Sequence, residues 1–113
     1  MIQPRLTLLP CLLAAASLLG GCGGEATPVS LQVLAAHQDD FDGREVRTCG
    51  TLRSHPSPRH YWIEDAALHR VELVPAELVE DYGEQEIEVS GRFSFAAGQG
   101  RRIQVTSLAA TAC

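Results

Sequence analysis

The clearest pattern in the chain is an alternation of apolar and polar residues in two segments near its carboxyl end. Every second position of Glu86–Phe95 is apolar or glycine, and the alternation returns in Arg102–Leu108. A period of two residues is typical of a β-strand that buries one face. Shorter runs predict three earlier strands, over Glu45–Leu52, Tyr61–Glu64 and His69–Val74.

Helix and turn signals separate these strands. Ser30 can cap a helix that runs through Leu31–Phe41, and Pro75 stands where a short helix ending at Gly83 would begin. Prolines and glycines predict loops over Arg53–His60 and Ala96–Arg102. The sequence therefore predicts a mainly β domain with an N-terminal helix and a short helix between its third and fourth strands.

The first residues of the chain have the organisation of a secretory signal. A short start with one positive charge, Arg5, is followed by the uncharged apolar segment Leu6–Leu19. A membrane-spanning helix needs about 20 such residues, so this segment is too short to be one. A charged start, a short apolar segment and small residues at its end predict a signal peptide that is removed.

The end of this signal, Leu19-Gly20-Gly21-Cys22, resembles the bacterial lipobox. The resemblance implies that residues 1–21 are cleaved off and that Cys22 carries lipid. Gly23, rather than an aspartate, then implies transport to the outer membrane. Several acyl chains give stable membrane attachment where one would be marginal. We therefore expect an outer-membrane lipoprotein facing the periplasm, with a flexible tether over residues 22–28 and a folded domain over residues 29–113.

Two cysteines remain once Cys11 leaves with the signal and Cys22 is lipidated. These are Cys49 and Cys113, and two thiols in an oxidising compartment usually pair. A pair of reactive or metal-binding thiols is the alternative, although the chain has no CxxC motif and no histidine at ligand spacing from Cys49. We expect a Cys49–Cys113 disulfide.

The order of three strands, a short helix and two strands resembles that of small OB-fold proteins. The resemblance covers Gly43–Leu108, through "GREVRTCGTL", "YWIED", "HRVELV", "IEVSGRF" and "RRIQVTSL", with Gly50 and Gly91 as candidate bends. It implies a five-stranded Greek-key barrel that binds on its second and third strands, between the loops that join strands one to two and four to five. A small open sheet or a half-barrel would show a similar pattern.

A candidate binding face follows from this resemblance. The two loops contain Arg53, Arg59, Arg101 and Arg102, and Trp62 stands on the adjoining strand, out of phase with its apolar neighbours. We expect both loops to lie at the same end of the barrel and their arginines to hold an anionic group beside Trp62. The alternatives are that Trp62 merely covers the barrel and that the arginines are solvated partners of nearby carboxylates.

The net charge and the lack of catalytic motifs restrict the functions that the sequence allows. Once the predicted signal peptide with Arg5 is removed, the chain has eight arginines, no lysine and fourteen acidic residues, which gives a net charge of −6. This acidity argues against single-stranded nucleic-acid binding, which is the alternative use of such a barrel. The chain has no Ser-His-Asp order and no phosphate loop, and no histidine pair at metal-ligand spacing is accompanied by a third ligand. We therefore expect no catalysis, no cofactor and no metal, but a binding or interaction module for an envelope protein or an anionic ligand.

Lipidation of Cys22 is directly testable. Mass spectrometry of the membrane fraction should show an acylated fragment that begins at Cys22, because the lipobox places cleavage before that residue. A soluble protein that still begins at Met1 would refute the assignment.

Overall fold

The structure is a computed structural model that describes residues 25–113. The predicted signal peptide and Cys22 lie outside the described residues. The described residues form six strands: β1 (Thr27–Pro28), β2 (Glu45–Pro56), β3 (Arg59–Glu64), β4 (Arg70–Val74), β5 (Glu86–Ala96) and β6 (Gly100–Ala110). Helices α1 (Leu31–Ala36) and α2 (Gln38–Phe41) precede β2, and two 3-10 helices (Ala76–Leu78 and Glu80–Tyr82) join β4 to β5.

Five of the strands close into a barrel. Their order is β2-β3-β4-β6-β5, and β5 returns to pair with β2. The pairing of β4 with β6 is parallel, whereas the other four contacts of the barrel are antiparallel. Strand β1 adds a sixth strand, parallel to β2. This closed mixed barrel is consistent with the expected OB-like barrel and differs from an open sheet by the β2–β5 contact.

Strand β2 closes the barrel by pairing along both of its edges. Thr51 is the point of overlap, since it is aligned with Glu64 of β3 and with Glu86 of β5. Directly before it, a Cβ atom at Gly50 would lie 2.9 Å from the Leu31 side chain and 3.0 Å from the Glu64 carbonyl oxygen. The predicted bend at Gly50 is therefore a place where neighbouring backbone approaches too closely for a side chain.

A second close approach occurs at Gly91 on β5. The β5–β6 register shifts between Ser90 and Gly91, as in a β-bulge. A Cβ atom at Gly91 would overlap the carbonyl oxygen of Gln104 on β6. Glycine at this position lets β5 bend while it remains paired on both sides.

The inward face of each strand fills the barrel. Phe93 is the largest of its fully buried side chains, and Leu31 and Leu34 of α1 add to the same cluster. The 3-10 segment contributes Val79, which is fully buried. The other core side chains are Val46, Leu52, Tyr61, Ile63, Val71, Leu73, Ile87, Val89, Ile103 and Val105.

The strands extend beyond the lengths predicted from the sequence. Most of the predicted loop Arg53–His60 is strand, because β2 runs to Pro56, β3 begins at Arg59, and only Ser57 and Pro58 form the turn. Likewise, β6 begins at Gly100, within the second predicted loop. The tip of a hairpin that projects past the core has no buried face, so its sequence lacks the apolar alternation by which strands are recognised.

The predicted helices and tether also differ in detail. The first helix is interrupted at His37, which ends α1 and precedes α2. The segment between β4 and β5 forms 3-10 rather than α-helical turns. The end of the predicted tether, Thr27–Pro28, is strand β1, and the next amide, that of Val29, donates to the Arg47 carbonyl at 3.0 Å.

The expected disulfide between Cys49 and Cys113 is confirmed, with the two Cα atoms 5.8 Å apart. It joins the middle of β2 to the last residue of the chain. The Thr111 amide also donates to the Glu86 carbonyl at 3.1 Å, so the carboxyl-terminal residues are held at two points. In the chain-entropy view, closing a loop of this length stabilises the fold by about 4 kcal/mol.

Removal of the disulfide should lower the thermal midpoint. We expect Cys113→Ser to lose at least several degrees, because in a domain of this size 1 kcal/mol corresponds to about 4–8 °C. The double variant Cys49→Ser/Cys113→Ser separates the lost bridge from the effect of a free thiol. Peptide mapping without reductant should recover the linked pair, and an unchanged midpoint in both variants would contradict the role of the bridge.

Candidate functional site

Trp62 lies on the outer surface of the barrel. Its neighbours Tyr61 and Ile63 point inward and are 7% and 0% exposed, whereas Trp62 is half-buried on the opposite face of β3. The strand registers align it with Arg53 on β2 and Glu72 on β4, and Glu72 with Arg102 on β6. We call the outward surface of these strands around Trp62 the β3–β4 face. Three predicted site residues, Arg53, Trp62 and Arg102, thus share one row of this face.

Glu64 is the electrostatic centre of the β3–β4 face. Its side chain is only 10% exposed. Oε1 accepts a hydrogen bond from Trp62 Nε1 at 2.9 Å and lies 3.2 Å from Arg70 Nε, and Oε2 accepts from Arg53 Nε at 3.3 Å. The Trp62 bond, with help from the two arginines, outweighs burial and holds the pKa of Glu64 below its usual value. One carboxylate therefore orients three of the side chains around it.

Four planar side chains lie in contact along the face. The Arg70 guanidinium carbon is 4.7 Å from the Trp62 ring centre, within cation–π range. The ring of His60 is 5.3 Å from that of Trp62, and His55 is 5.6 Å from His60 on the other side. Trp62 is therefore a fixed part of the surface rather than a freely rotating side chain.

The remaining predicted arginines have separate partners. Arg102 pairs with Glu72 at 3.2 Å. Arg101 donates from Nε to the Arg70 carbonyl and from Nη1 to Gln38 Oε1, both at 2.9 Å. Arg59 donates to the Tyr61 hydroxyl at 3.2 Å and lies 3.8 Å from Glu80.

The prediction that both arginine-bearing segments lie at one end of the barrel is wrong. Because β4 and β6 are parallel, the turn before β6 lies beside the start of β4. The β2–β3 turn instead lies beside the end of β4, since β3 and β4 are antiparallel. Arg59 and Arg101 thus occupy opposite ends of the β3–β4 face, and the four arginines do not form a single patch.

A depression of about 270 Å³ opens at the Arg101 end of this face. It is lined by His60, Trp62, Arg70, Glu72, Gln99, Gly100 and Arg101. Trp62 and Arg101 are the predicted site residues that it brings together. Arg70 was not predicted, because it lies within a strand and not in an arginine-rich loop, although its place two residues before Glu72 on the same strand puts it on the outward side.

A second depression, of about 360 Å³, lies beside the disulfide and is lined in part by Glu64 and Asp65. Both carboxyl groups are already engaged. Asp65 accepts from the amides of Ala67 and His69 at 3.0 and 2.9 Å and lies 2.8 Å from the His69 ring. Burial raises the pKa of Asp65, but the contacts with His69 and Ala67 together lower it below the usual value. Asp65 thus holds the β3–β4 turn in shape, while Glu64 is bound to the side chains of the β3–β4 face.

Within residues 25–113, no group of three or more histidine, cysteine, aspartate or glutamate side chains is arranged to hold a metal ion. The same residues include no helix that is long and apolar enough to cross a membrane. No protein-family model matches the sequence, and no curated protein matches it either. The geometry of the β3–β4 face is therefore the basis for assigning a function.

The role of Glu64 predicts a pH-dependent stability. Since its folded-state pKa is lowered, the carboxylate stabilises the fold above the unfolded-state pKa of about 4.3, and this stabilisation is lost as the pH falls toward the lower folded-state pKa. We expect Glu64→Gln to lower the free energy of unfolding at pH 7 by about 2 kcal/mol and by less at pH 3, measured by urea denaturation.

Glu88→Gln is the matched control, because Glu88 is half-exposed and makes one long contact with Arg47, at 3.9 Å. It should change stability by less than about 1 kcal/mol at either pH. If Glu64→Gln lowers the free energy of unfolding by the same amount at both pH values, the charged state assigned to Glu64 is contradicted.

Proposed function

We propose that this protein is a lipid-anchored outer-membrane lipoprotein whose OB-like barrel faces the periplasm and serves as a non-catalytic binding module. Binding takes place on the β3–β4 face, around Trp62. The proposed location is supported by the signal-peptide pattern and by the lipobox-like segment that ends at Cys22. The OB-like assignment is supported by the closed order of the five strands and the parallel β4–β6 contact.

The observation that carries the binding role is the local charge of this face. Residues 25–113 contain eight arginines and fourteen acidic residues, so their net charge is −6. Four of those arginines, namely Arg53, Arg70, Arg101 and Arg102, lie on or beside the β3–β4 face, against the three glutamates that pair with them. A local positive excess beside an aromatic ring, on an otherwise acidic domain, supports recognition of an anionic partner.

The anchor would keep the barrel close to the membrane. Cys22 precedes Thr27, the first residue of β1, by five residues. Even fully extended, five residues span at most about 17 Å. The module would therefore meet partners at or near the membrane surface.

Nucleic-acid binding has weaker support. Arg53, Arg70 and Arg102 each lie within an ion pair, so four arginines against three glutamates leave an excess of one positive charge, whereas a phosphate backbone presents a row of negative charges. Fold-level analogy is the remaining argument for it, and analogy of fold does not establish function.

Site-specific photo-crosslinking in living cells tests the proposal. A photo-reactive residue at Gln99, on the rim of the depression beside Trp62, should give a discrete adduct of the full-length protein. The same residue at Thr106, exposed elsewhere on β6, is the control and should give none. Equal adducts at both positions, or none at Gln99, would contradict a binding role for this face, and an adduct with nucleic acid would favour the alternative.

A further inference from the structure

We propose that Arg70 and Arg101 together form a subsite for one compact anionic group, a carboxylate or a phosphate, in the depression beside Trp62. This inference rests on the proposed binding role of the β3–β4 face and names the chemistry that the face recognises. It brings in Arg70, which loop composition does not indicate, and leaves Arg59 out.

Arg101 differs from the other arginines of the β3–β4 face in the partners that it has among residues 25–113. Among residues 25–113 no carboxylate forms an ion pair with it, whereas Arg53 pairs with two carboxylates and Arg70 and Arg102 with one each. Its partners are neutral, the Arg70 carbonyl and the Gln38 amide oxygen. These two bonds fix the guanidinium in the wall of the depression and use Nε and Nη1. Within the described part of the chain, Nη2 has no hydrogen-bond acceptor.

Arg70 is fixed in a different way. Its guanidinium stacks on the Trp62 ring at 4.7 Å, and its Nε lies 3.2 Å from Glu64 Oε1. Neither of its terminal nitrogens has an acceptor among residues 25–113. A planar guanidinium that is already held in place loses little conformational entropy when it binds a carboxylate or phosphate.

The two guanidiniums line the same depression, because Arg101 donates directly to the backbone of Arg70. Between them they offer three terminal nitrogens that no acceptor among residues 25–113 engages. Carboxylate and phosphate oxygens are the acceptors that such planar donors bind most strongly. A single anion bridging Arg70 and Arg101 would satisfy both groups.

The rest of the lining limits the ligand. Glu72 is on the same wall and is paired with Arg102, so a second negative group of the ligand would meet a carboxylate. His60 and Trp62 offer ring surface to the part of the ligand next to the anion. The chemistry recognised is therefore one carboxylate or phosphate attached to a body that can contact aromatic rings.

The single tryptophan of the chain makes the test direct. The full-length protein in detergent micelles is titrated separately with acetate and with inorganic phosphate, at constant ionic strength adjusted with sodium chloride. The indole N–H resonance of Trp62 reports binding. We expect a saturable shift with at least one probe, and Arg101→Gln should weaken that binding at least about tenfold.

Two further variants guard against indirect effects. Arg101→Lys keeps the positive charge but not the planar set of guanidinium donors, and should retain part of the affinity for the anion. Arg92→Gln removes an arginine that is 64% exposed and pairs with Glu45 on another part of the barrel, and it should bind as the unmodified protein does. Saturation with phosphate alone would point to a phosphate ester such as a lipid headgroup, and saturation with acetate alone to a carboxylate.

Absence of a saturable shift with both probes would overturn the subsite, as would equal affinity of Arg101→Gln and the unmodified protein. Either result can be told apart from failure of the proposed function. A partner that uses other contacts on the β3–β4 face would still crosslink at Gln99 when Arg101 is replaced. If no adduct forms at Gln99 even when Arg101 is intact, the proposed binding role of the β3–β4 face is itself contradicted.

Discussion

The barrel depends on strand β2, which pairs with β5 along its first half and with β3 along its second half. Thr51 of β2 is aligned with both Glu64 and Glu86, and this double pairing turns a five-stranded sheet into a closed barrel. Gly50 lies directly before it, where a Cβ atom would crowd the Leu31 side chain and the backbone of Glu64. The disulfide from Cys49 joins β2 to the end of the chain one residue earlier. Cys49, Gly50 and Thr51 of β2 are therefore the place where β3, β5, helix α1 and the carboxyl terminus meet.

Glu64 connects this point of closure to the candidate site. Its backbone lies against Gly50 at the junction of β2 and β3, while its side chain on the outer face meets Trp62, Arg53 and Arg70. A carboxylate so little exposed is tolerated only because donors surround it. The same donors are thereby held still, so the rigidity of the barrel is passed to the surface groups that would meet a ligand.

The parts of the fold that could be predicted from sequence are those in which one face of a strand is buried. Ile87, Val89 and Phe93 alternate because they fill the barrel, and β5 could be recognised from them. The hairpin tip at Ser57 and the start of β6 at Gly100 lie beyond the core, so no burial pattern marked them as strand ends. The cysteine pairing could be inferred because residues 25–113 contain two cysteines, Cys49 and Cys113.

The candidate site was less predictable, for a geometric reason. Composition shows that arginines concentrate in two segments, but not at which end of the barrel each segment lies. That depends on strand direction, and the parallel β4–β6 contact separates Arg59 from Arg101. Arg70 has an ordinary position within a strand and becomes notable only when Trp62, Glu64 and Arg101 are seen around it. Which charges remain unpaired is a property of side-chain contacts that no spacing rule reveals.

The closed barrel itself is tested most directly by backbone NMR across the β4–β6 seam. A closed barrel predicts cross-strand contacts of the parallel type between the backbone protons of Leu73 and those around Ile103. It also predicts slow amide exchange on both strands. If the β3–β4 and β5–β6 contacts are present while those between β4 and β6 are missing, the sheet is open. Trp62 and Arg101 would then have no common surface.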